Sequence, residues 1–430
     1  MRNFLPIPPA VVRNQMQTIQ EQFKRNVIPT YARFDLTLDH GQGSRVWDVN
    51  GKCYLDFGGG IAVCGLGHAH PEMTQVLTEQ SRKLIHISNL YFQEPQGGLA
   101  EKLAGLIGPG KVFFCNSGGE ANEGLFKLAR KFGHEEGRFE ILTAENSFHG
   151  RTLAAISATG QAKVKKGFEP MVQGFRHIPF NDLAAARAAL SPATAAILIE
   201  GVQGEGGVVS ATAEYLLGLR QLCDEKKLLL LMDEVQCGHF RTGRFQSFQR
   251  ILEDSSDPGA AGFLPDGVSM AKALGCGFPM GAFWVRQPFA DVLGAGSHGS
   301  TYGGSPLACA VGLKVLEVME RDHLAENARQ TGLFLKTELT ALAAQYPCVV
   351  TQVRGLGLMI GVELAEHIPA FSSSDKAPAI QFISRLHEAG LLAIPAGARI
   401  LRLLPALNLS RDEAAEGVRI IRSVVAKLSS

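Results

Sequence analysis

The chain has 430 residues, 46% of them hydrophobic and 19% charged, with 42 basic against 41 acidic side chains and a formal net charge of +1. That balance offers no pull toward nucleic acid or an anionic membrane, and neither an apolar signal core nor an uncharged run of membrane-spanning length is present. The length exceeds what one simple core carries, so two domains, or a large one with a smaller companion, are expected.

The eight cysteines form no CxxC pair and no zinc-spaced His/Cys cluster. Cys64 and Cys115 lie in apolar surroundings, where reduced buried thiols are usual. A soluble protein of the reducing cytoplasm, without a bound metal, is the expectation.

Residues 1–30 read as an arm, with a helix over Val12–Phe23. Ser44–Phe57 carries two alternating runs joined at Asn50-Gly51, a strong hairpin signal. After the glycine-rich stretch Gly58–Pro71, a helix is expected from Pro71 to about Leu84. From Val112 the pattern becomes βα alternation, with strands at Val112–Cys115, Phe139–Thr143, Ala195–Ile199, Leu228–Met232, Gly267–Met270 and Met280–Val285. Helices over Ala121–Phe132 and Ala213–Lys226 lie between them. Short, continuously apolar strands separated by helices predict a parallel sheet covered on both faces, with its ligand crevice beyond the carboxyl ends of the strands.

Beyond Pro306 a long helical stretch, Leu307–Tyr346, breaks near Arg321–Asp322. A second αβ unit follows, with strands at Val349–Val353, Leu358–Glu363, Leu391–Ala393 and Ile400–Leu403 and helices at Ala379–Glu388 and Arg411–Leu428. The expected division is 1–70 as arm and hairpin belonging with a small domain, 71–306 as the large domain, and 307–430 as the small one.

Chemistry gathers at the expected strand ends. Lys272, in SMAKALGCGFPMGA, sits among small and apolar residues that would favour its neutral, nucleophilic amine. Leu228–Met232 runs into Asp233 and Glu234, a buried strand delivering carboxylate to the crevice. An aspartate there could hold a protonated pyridine nitrogen, or equally cap a helix or join an ion pair. Ser117, Gly118 and Gly119 supply a hydroxyl and open backbone amides at a helix start, suited to phosphate. Phe148 could cover a flat ring and Arg151 grip a carboxylate, or both could serve packing and ion pairing. Glu205 lies in a glycine loop, and Arg402 stands inside an apolar run, where it needs an anion such as Glu205 or a substrate carboxylate. Singly these residues decide little. In the order phosphate, ring stack, carboxylate, aspartate and lysine they describe a site for a lysine-bound aldehyde cofactor.

Over about Tyr31 to Leu428 the chain resembles the class III, ornithine-aminotransferase-like subgroup of fold type I pyridoxal-phosphate enzymes. The resemblance lies in FFCNSGGEANE, NSFHGRTLAAISATGQ, QGEGGV, DEVQCG…RTG, AKALG, HGSTYGG and VRGLGLMIG. It implies an α/β fold with a mostly parallel central sheet plus a smaller α/β domain, and pyridoxal 5′-phosphate as cofactor. By position, Lys272 would carry the cofactor and shuttle a proton between Cα and its C4′. Asp233 would pair the ring nitrogen, Gln236 contact the ring hydroxyl, Phe148 and Val235 cover the two ring faces, and Ser117, Gly118 and Gly119 hold the phosphate. Thr301 would reach the phosphate site of a second subunit, making a homodimer with shared active sites. Arg151 and Ser300 would bind an acetylated amino donor. Arg402 would grip the α-carboxylate of glutamate or 2-oxoglutarate, with Glu205 pairing and releasing it. Within the family the pattern is most similar to the branch acting on N-acetylornithine, with the succinylated donor, ornithine and 4-aminobutyrate as alternatives.

The chain departs from the family pattern at Gly119, Gly201, Ser305, His239-Phe240 and the longer Glu253–Leu264 segment. Ile61 stands where ornithine aminotransferases carry tyrosine.

Overall fold

The computed structural model describes residues 9–429, with side chains from residue 18 onward. The arm begins with a helix, Pro9–Asn26, longer than the expected Val12–Phe23, while residues 1–8 of the expected arm lie outside the described residues. A small sheet follows: β1 (Leu38–Gln42), β2 (Arg45–Asp48) and β3 (Cys53–Asp56), with β2 and β3 closing the hairpin at Asn50-Gly51. Gly51 adopts φ +80, the left-handed backbone this turn demands.

The central sheet holds β4 (Gly110–Cys115), β5 (Glu140–Ala144), β6 (Phe175–Ile178) and β7 (Thr194–Glu200). A short ribbon, β8 (Val202–Gln203) and β9 (Val209–Ser210), precedes β10 (Leu229–Asp233), β11 (Gly267–Met270) and β12 (Gly281–Arg286). The seven central strands run in the order β4-β12-β11-β10-β7-β5-β6. Every residue of β7 and β10 is buried. Alternate residues feed opposite faces: Leu229 and Leu231 join the core beneath helix Gly118–Gly133, while Leu230 and Met232 join the larger core on the other side. This two-sided burial explains why the strands read as continuous apolar runs.

Two features differ from expectation. The four-residue edge strand β6, FRHI, carries charge and was invisible to an apolar-run criterion. Strand β12 runs antiparallel to both β11 and β4, so the sheet is mixed, although mostly parallel. Consequently β12 brings its beginning, not its end, to the crevice, and Gly281 sits opposite Cys115.

The remaining strands are β13 (Val350–Leu356), β14 (Met359–Leu364), β15 (Leu391–Leu392), β16 (Ile394–Pro395) and β17 (Ile400–Leu403). The helix break appears as expected, between Pro306–Arg321 and Leu324–Gln345. Strand β15 pairs in parallel with β3, tying the N-terminal hairpin to the C-terminal segment. One apolar core runs from Leu230 and Met232 through Leu335 and Val362 to Phe382 and Ile421.

Gly281 has no room for a side chain, since an added Cβ would lie 2.5 Å from the Ser117 carbonyl oxygen. The obstructing atom is backbone at a helix start and cannot swing aside. Gly281→Ala should therefore destabilise the protein by about 1–3 kcal/mol, measurable as a lower urea midpoint with an unchanged m-value.

Candidate active site

The carboxyl ends of β4, β5, β7, β10 and β11 and the start of β12 surround a cavity of about 310 Å³. Its lining includes Ser117, Gly118, Gly119, Phe148, Asp233, Val235, Gln236 and Lys272, eight of the thirteen positions singled out from the sequence.

Ser117 caps helix Gly118–Gly133, its hydroxyl accepting the Glu120 amide at 3.3 Å. The first-turn N–H groups that follow have no carbonyl of their own helix to bind and form an anion-seeking end. Gly118 is needed for close approach, because a Cβ there would meet Val235 Cγ1 at 2.7 Å. Gly119 is not so constrained: a Cβ would touch nothing nearer than 3.9 Å.

Asp233 is buried at the end of β10. Its Oδ2 accepts Asn122 Nδ2 and faces His149 Nδ1, both at 2.8 Å, and its Oδ1 accepts the Val235 amide at 3.1 Å. No lysine or arginine pairs this carboxylate among the described residues, so it presents charge to the cavity. Glu234 does not share that task. It turns into the core and accepts the Ser247 hydroxyl at 2.6 Å and the Ser247 amide at 2.8 Å, and burial pushes its carboxyl up to about 7. Two adjacent residues past a strand project to opposite sides, so only one carboxylate can reach the crevice.

Lys272 follows β11 in a left-handed conformation, φ +50, at the start of a tight turn. Backbone strain of this kind at a non-glycine residue is characteristic of functional sites. The side chain opens on the cavity while protein encloses its amine. Burial lowers the ammonium to about 8, aided by the Arg402 charge and opposed by Glu205, Asp233 and Glu200.

Arg402, buried on β17, donates Nη1 to Glu205 Oε1 at 2.6 Å and to Gln236 Oε1 at 2.7 Å. Its Nη2 donates to the Pro395 carbonyl at 3.2 Å, and its Nε has no partner. Burial alone would raise the Glu205 carboxyl, but the Arg402 charge and hydrogen bond outweigh it and hold the group below its usual value. Gln236 thus links the arginine–glutamate pair to the cavity wall.

The other expected residues lie outside this lining. Arg151 is exposed, its guanidinium 5.4 Å from the Phe148 ring centre. Ser300 is half-buried, its hydroxyl accepting Asn116 Nδ2 at 3.3 Å and the Gly303 amide at 3.0 Å. Thr301 is exposed and does not line the cavity. The lining residues missed by sequence reasoning include Asn122, His149 and Glu200. The first two lie inside motifs already singled out, NSGGEANE and NSFHGRT. Glu200 escaped because the expected strand stopped at Ile199, one residue short of the end of β7.

This arrangement fits amine chemistry on an anionic, aromatic ligand: a lysine amine whose charged form is disfavoured, a buried carboxylate, an aromatic side chain and an amide cradle. The description "Aminotransferase class-III" matches residues 28–425 of the chain. The protein is a class III aminotransferase. Enzymes of this family use pyridoxal phosphate. The aminotransferase is 43% identical to an acetylornithine aminotransferase of Gloeobacter violaceus over 96% of its own length and 98% of that relative's. It is 44% identical to another from Nostoc sp., over 95% and 94% of the two chains. Among solved structures, the acetylornithine aminotransferase of Elizabethkingia anophelis superposes with TM-score 0.82 at 31% identity, covering 96% of this chain and 99% of that one. The ornithine aminotransferase of Toxoplasma gondii gives TM-score 0.87 at 29% identity, covering 98% of each, and is described with partial occupancy of pyridoxal phosphate at its active site.

The lowered Lys272 ammonium carries a pH signature. The unfolded lysine binds its proton up to about pH 10.4, whereas the folded one releases it near 8. Between those values the unfolded state holds more protons, so this group makes stability rise with pH. In the absence of cofactor, wild type should gain thermal stability relative to Lys272→Met across that window, with parallel curves below about pH 7.

Proposed function

We propose that this aminotransferase transfers the terminal amino group of N-acetylornithine to 2-oxoglutarate, yielding N-acetylglutamate 5-semialdehyde and glutamate. The observation carrying this reading is the cavity in which Lys272, its ammonium lowered to about 8 by burial, meets an Asp233 carboxylate that has no lysine or arginine partner among the described residues, with the Arg402–Glu205 pair one residue behind its wall. Two relatives sharing over 40% identity bear the name of that activity.

The residues present fit pyridoxal phosphate. Asp233 is a buried anion lacking a basic side-chain partner other than the His149 imidazole, as a protonated ring nitrogen requires. At Gly119 the turn leaves space, since a Cβ there would touch nothing nearer than 3.9 Å, and the turn's amides suit a phosphate. Phe148 and Val235 line the cavity and would cover the two ring faces, and Gln236 would meet the ring hydroxyl. Bound there, the cofactor supplies an aldehyde that joins amines and a ring that draws electrons from the substrate carbon.

Lys272 would hold the cofactor, and its Nζ, when neutral, is placed to accept a proton from the substrate carbon and give it back. His149 and Asn122 fix the Asp233 carboxylate so that its charge stays on the ring side. Arg402 serves the second substrate. With Glu205 on its Nη1 it is neutralised and leaves room for the acetylated donor; with Glu205 withdrawn it grips the α-carboxylate of 2-oxoglutarate bidentately. One site thereby takes two substrates in turn. Arg151 has no ion-pair partner among the described residues and would bind the donor's carboxylate, with Ser300 beside it.

The catalytic unit in this reading is a homodimer. Exposed Ile85, Leu90, Tyr91 and Phe92 form an apolar stretch, and Asn89 within it donates to the Ser300 and Gly303 carbonyls at 3.1 and 2.9 Å. Covering that stretch with a second subunit would bury Thr301 and deliver it to the partner's phosphate site. The division into 71–306 as cofactor-binding domain and 307–430 with the hairpin as small domain belongs to the same proposal, as does a cytoplasmic location. No described helix is long and apolar enough to cross a membrane.

Single-turnover spectra test the reading. Addition of N-acetylornithine to the holoenzyme should bleach the cofactor band rapidly, and 2-oxoglutarate should restore it. A preference for ornithine or 4-aminobutyrate would reassign the donor, and a chain that never binds pyridoxal phosphate would end the proposal. Lys272→Ala should abolish turnover without unfolding the protein. Arg402→Ala should slow the 2-oxoglutarate half-reaction by roughly a hundredfold while affecting the donor half-reaction far less.

A further inference from the structure

Glu200 is the last residue of β7, almost fully buried, and it lines the same cavity. In the parallel register of β7 and β10 its Cα is the direct partner of that of Asp233. Register partners on neighbouring strands project to the same face, so two carboxyl groups enter the cavity side by side.

Their surroundings are unequal. Asp233 accepts the Asn122 amide and the Val235 N–H and faces the His149 imidazole. Glu200 Oε2 accepts one N–H in the site, that of Phe148 at 3.2 Å, with the Gly204 amide also near its carboxyl. The third carboxyl of the site, Glu205, is matched by Arg402. The cation facing Glu200 is Lys272, which the proposed chemistry requires to be neutral. Two adjacent buried carboxyls with one set of stabilising donors cannot both ionise cheaply.

We propose that Glu200 works as a neutral carboxylic acid, a positioning residue that anchors the Phe148 backbone and leaves Asp233 the only anion at that end of the cavity. The role acts through Phe148, which lines the cavity four residues beyond the end of β5 and has its main-chain N–H tied to this oxygen. Burial first, and the neighbouring Asp233 second, push the Glu200 carboxyl upward, while the Phe148 amide opposes them and Glu205 adds to the rise. An ionised Glu200 would instead pull Lys272 toward its charged form.

The inference rests on the proposed cofactor site only for what Phe148 covers. The state of the carboxyl is independent of it, and the two are tested separately. Infrared spectra of the purified full-length protein at neutral pH, with and without pyridoxal phosphate, should show the C=O stretch of a protonated carboxyl that disappears in Glu200→Gln. Thermal unfolding without cofactor provides a second readout. The unfolded glutamate releases its proton above about pH 4.3, while the folded one keeps it, so wild type loses stability as pH rises through that value. Glu200→Gln escapes this loss, and its midpoint should climb relative to wild type between pH 4 and 8.

Pyridoxal phosphate titration separates anchoring from charge. Glu200→Ala should weaken binding about tenfold, and Glu200→Gln, which keeps a neutral acceptor for the Phe148 amide, should recover it to within about threefold. A missing carboxyl band, or a Gln variant that binds as poorly as the Ala variant, would overturn the proposal. Failure of every form to bind cofactor would overturn the cofactor reading instead, with the infrared band still deciding the state of Glu200. Should the Ala variant not fold, the band and the pH trend of the Gln variant decide.

Discussion

The structure depends on how it manages charge removed from water at one edge of its central sheet. Asp233, Glu200 and Glu205 enter one site with Lys272 and Arg402, all substantially enclosed by protein. Each buried charge there would be costly if left unmatched. The chain answers by assigning partners, Asn122 and His149 to Asp233 and Arg402 to Glu205, while burial eases the proton off Lys272 by lowering its ammonium to about 8. Reactivity follows from this accounting, since the lysine is nucleophilic because the site disfavours its proton.

Backbone crowding supplies the second constraint. Gly118 packs against the Val235 side chain and Gly281 against the Ser117 backbone, both where no Cβ fits. The cradle's position is therefore set by the antiparallel insertion of β12 between β4 and β11, not by the helix start alone. Left-handed residues cluster in the same region, at Ile61 and Ala62, at His239 and Phe240, and at Lys272. At His239-Phe240 the strain is held by burial and by edge contacts of both rings with Phe245, at 5.5 and 5.3 Å. Two bulky residues are thereby held in a left-handed loop.

The linkage between the Glu205–Arg402 pair and the cavity runs through Gln236, which accepts from the arginine and lies 3.5 Å from Glu205. In the proposed function a ring contact, a carboxylate switch and a carboxylate-binding arginine would share this one amide side chain, so that movement of Glu205 would alter the hydrogen bonding of a residue in the cavity wall. The glycine loop that bears Glu205 allows such movement where a strand would not.

Local pattern in the chain determined the elements. Apolar runs long enough to span a two-sided sheet, Asn-Gly at the hairpin and glycine after the lysine forced nearly every strand and helix, because each depends on neighbours close in sequence. It also determined which residue types carry chemistry, since Lys272, Asp233, Phe148 and Ser117–Gly119 are legible from their motifs and do line one cavity. Only the tertiary structure decided the direction of β12, the turning of Glu234 into the core, and the juxtaposition of Glu200 with Asp233. These depend on strand register and on which side a residue leaves a strand, and a shift of one residue reverses the answer. A sequence carries the charges; their pairing, and so their protonation, exists only once distant strands lie side by side.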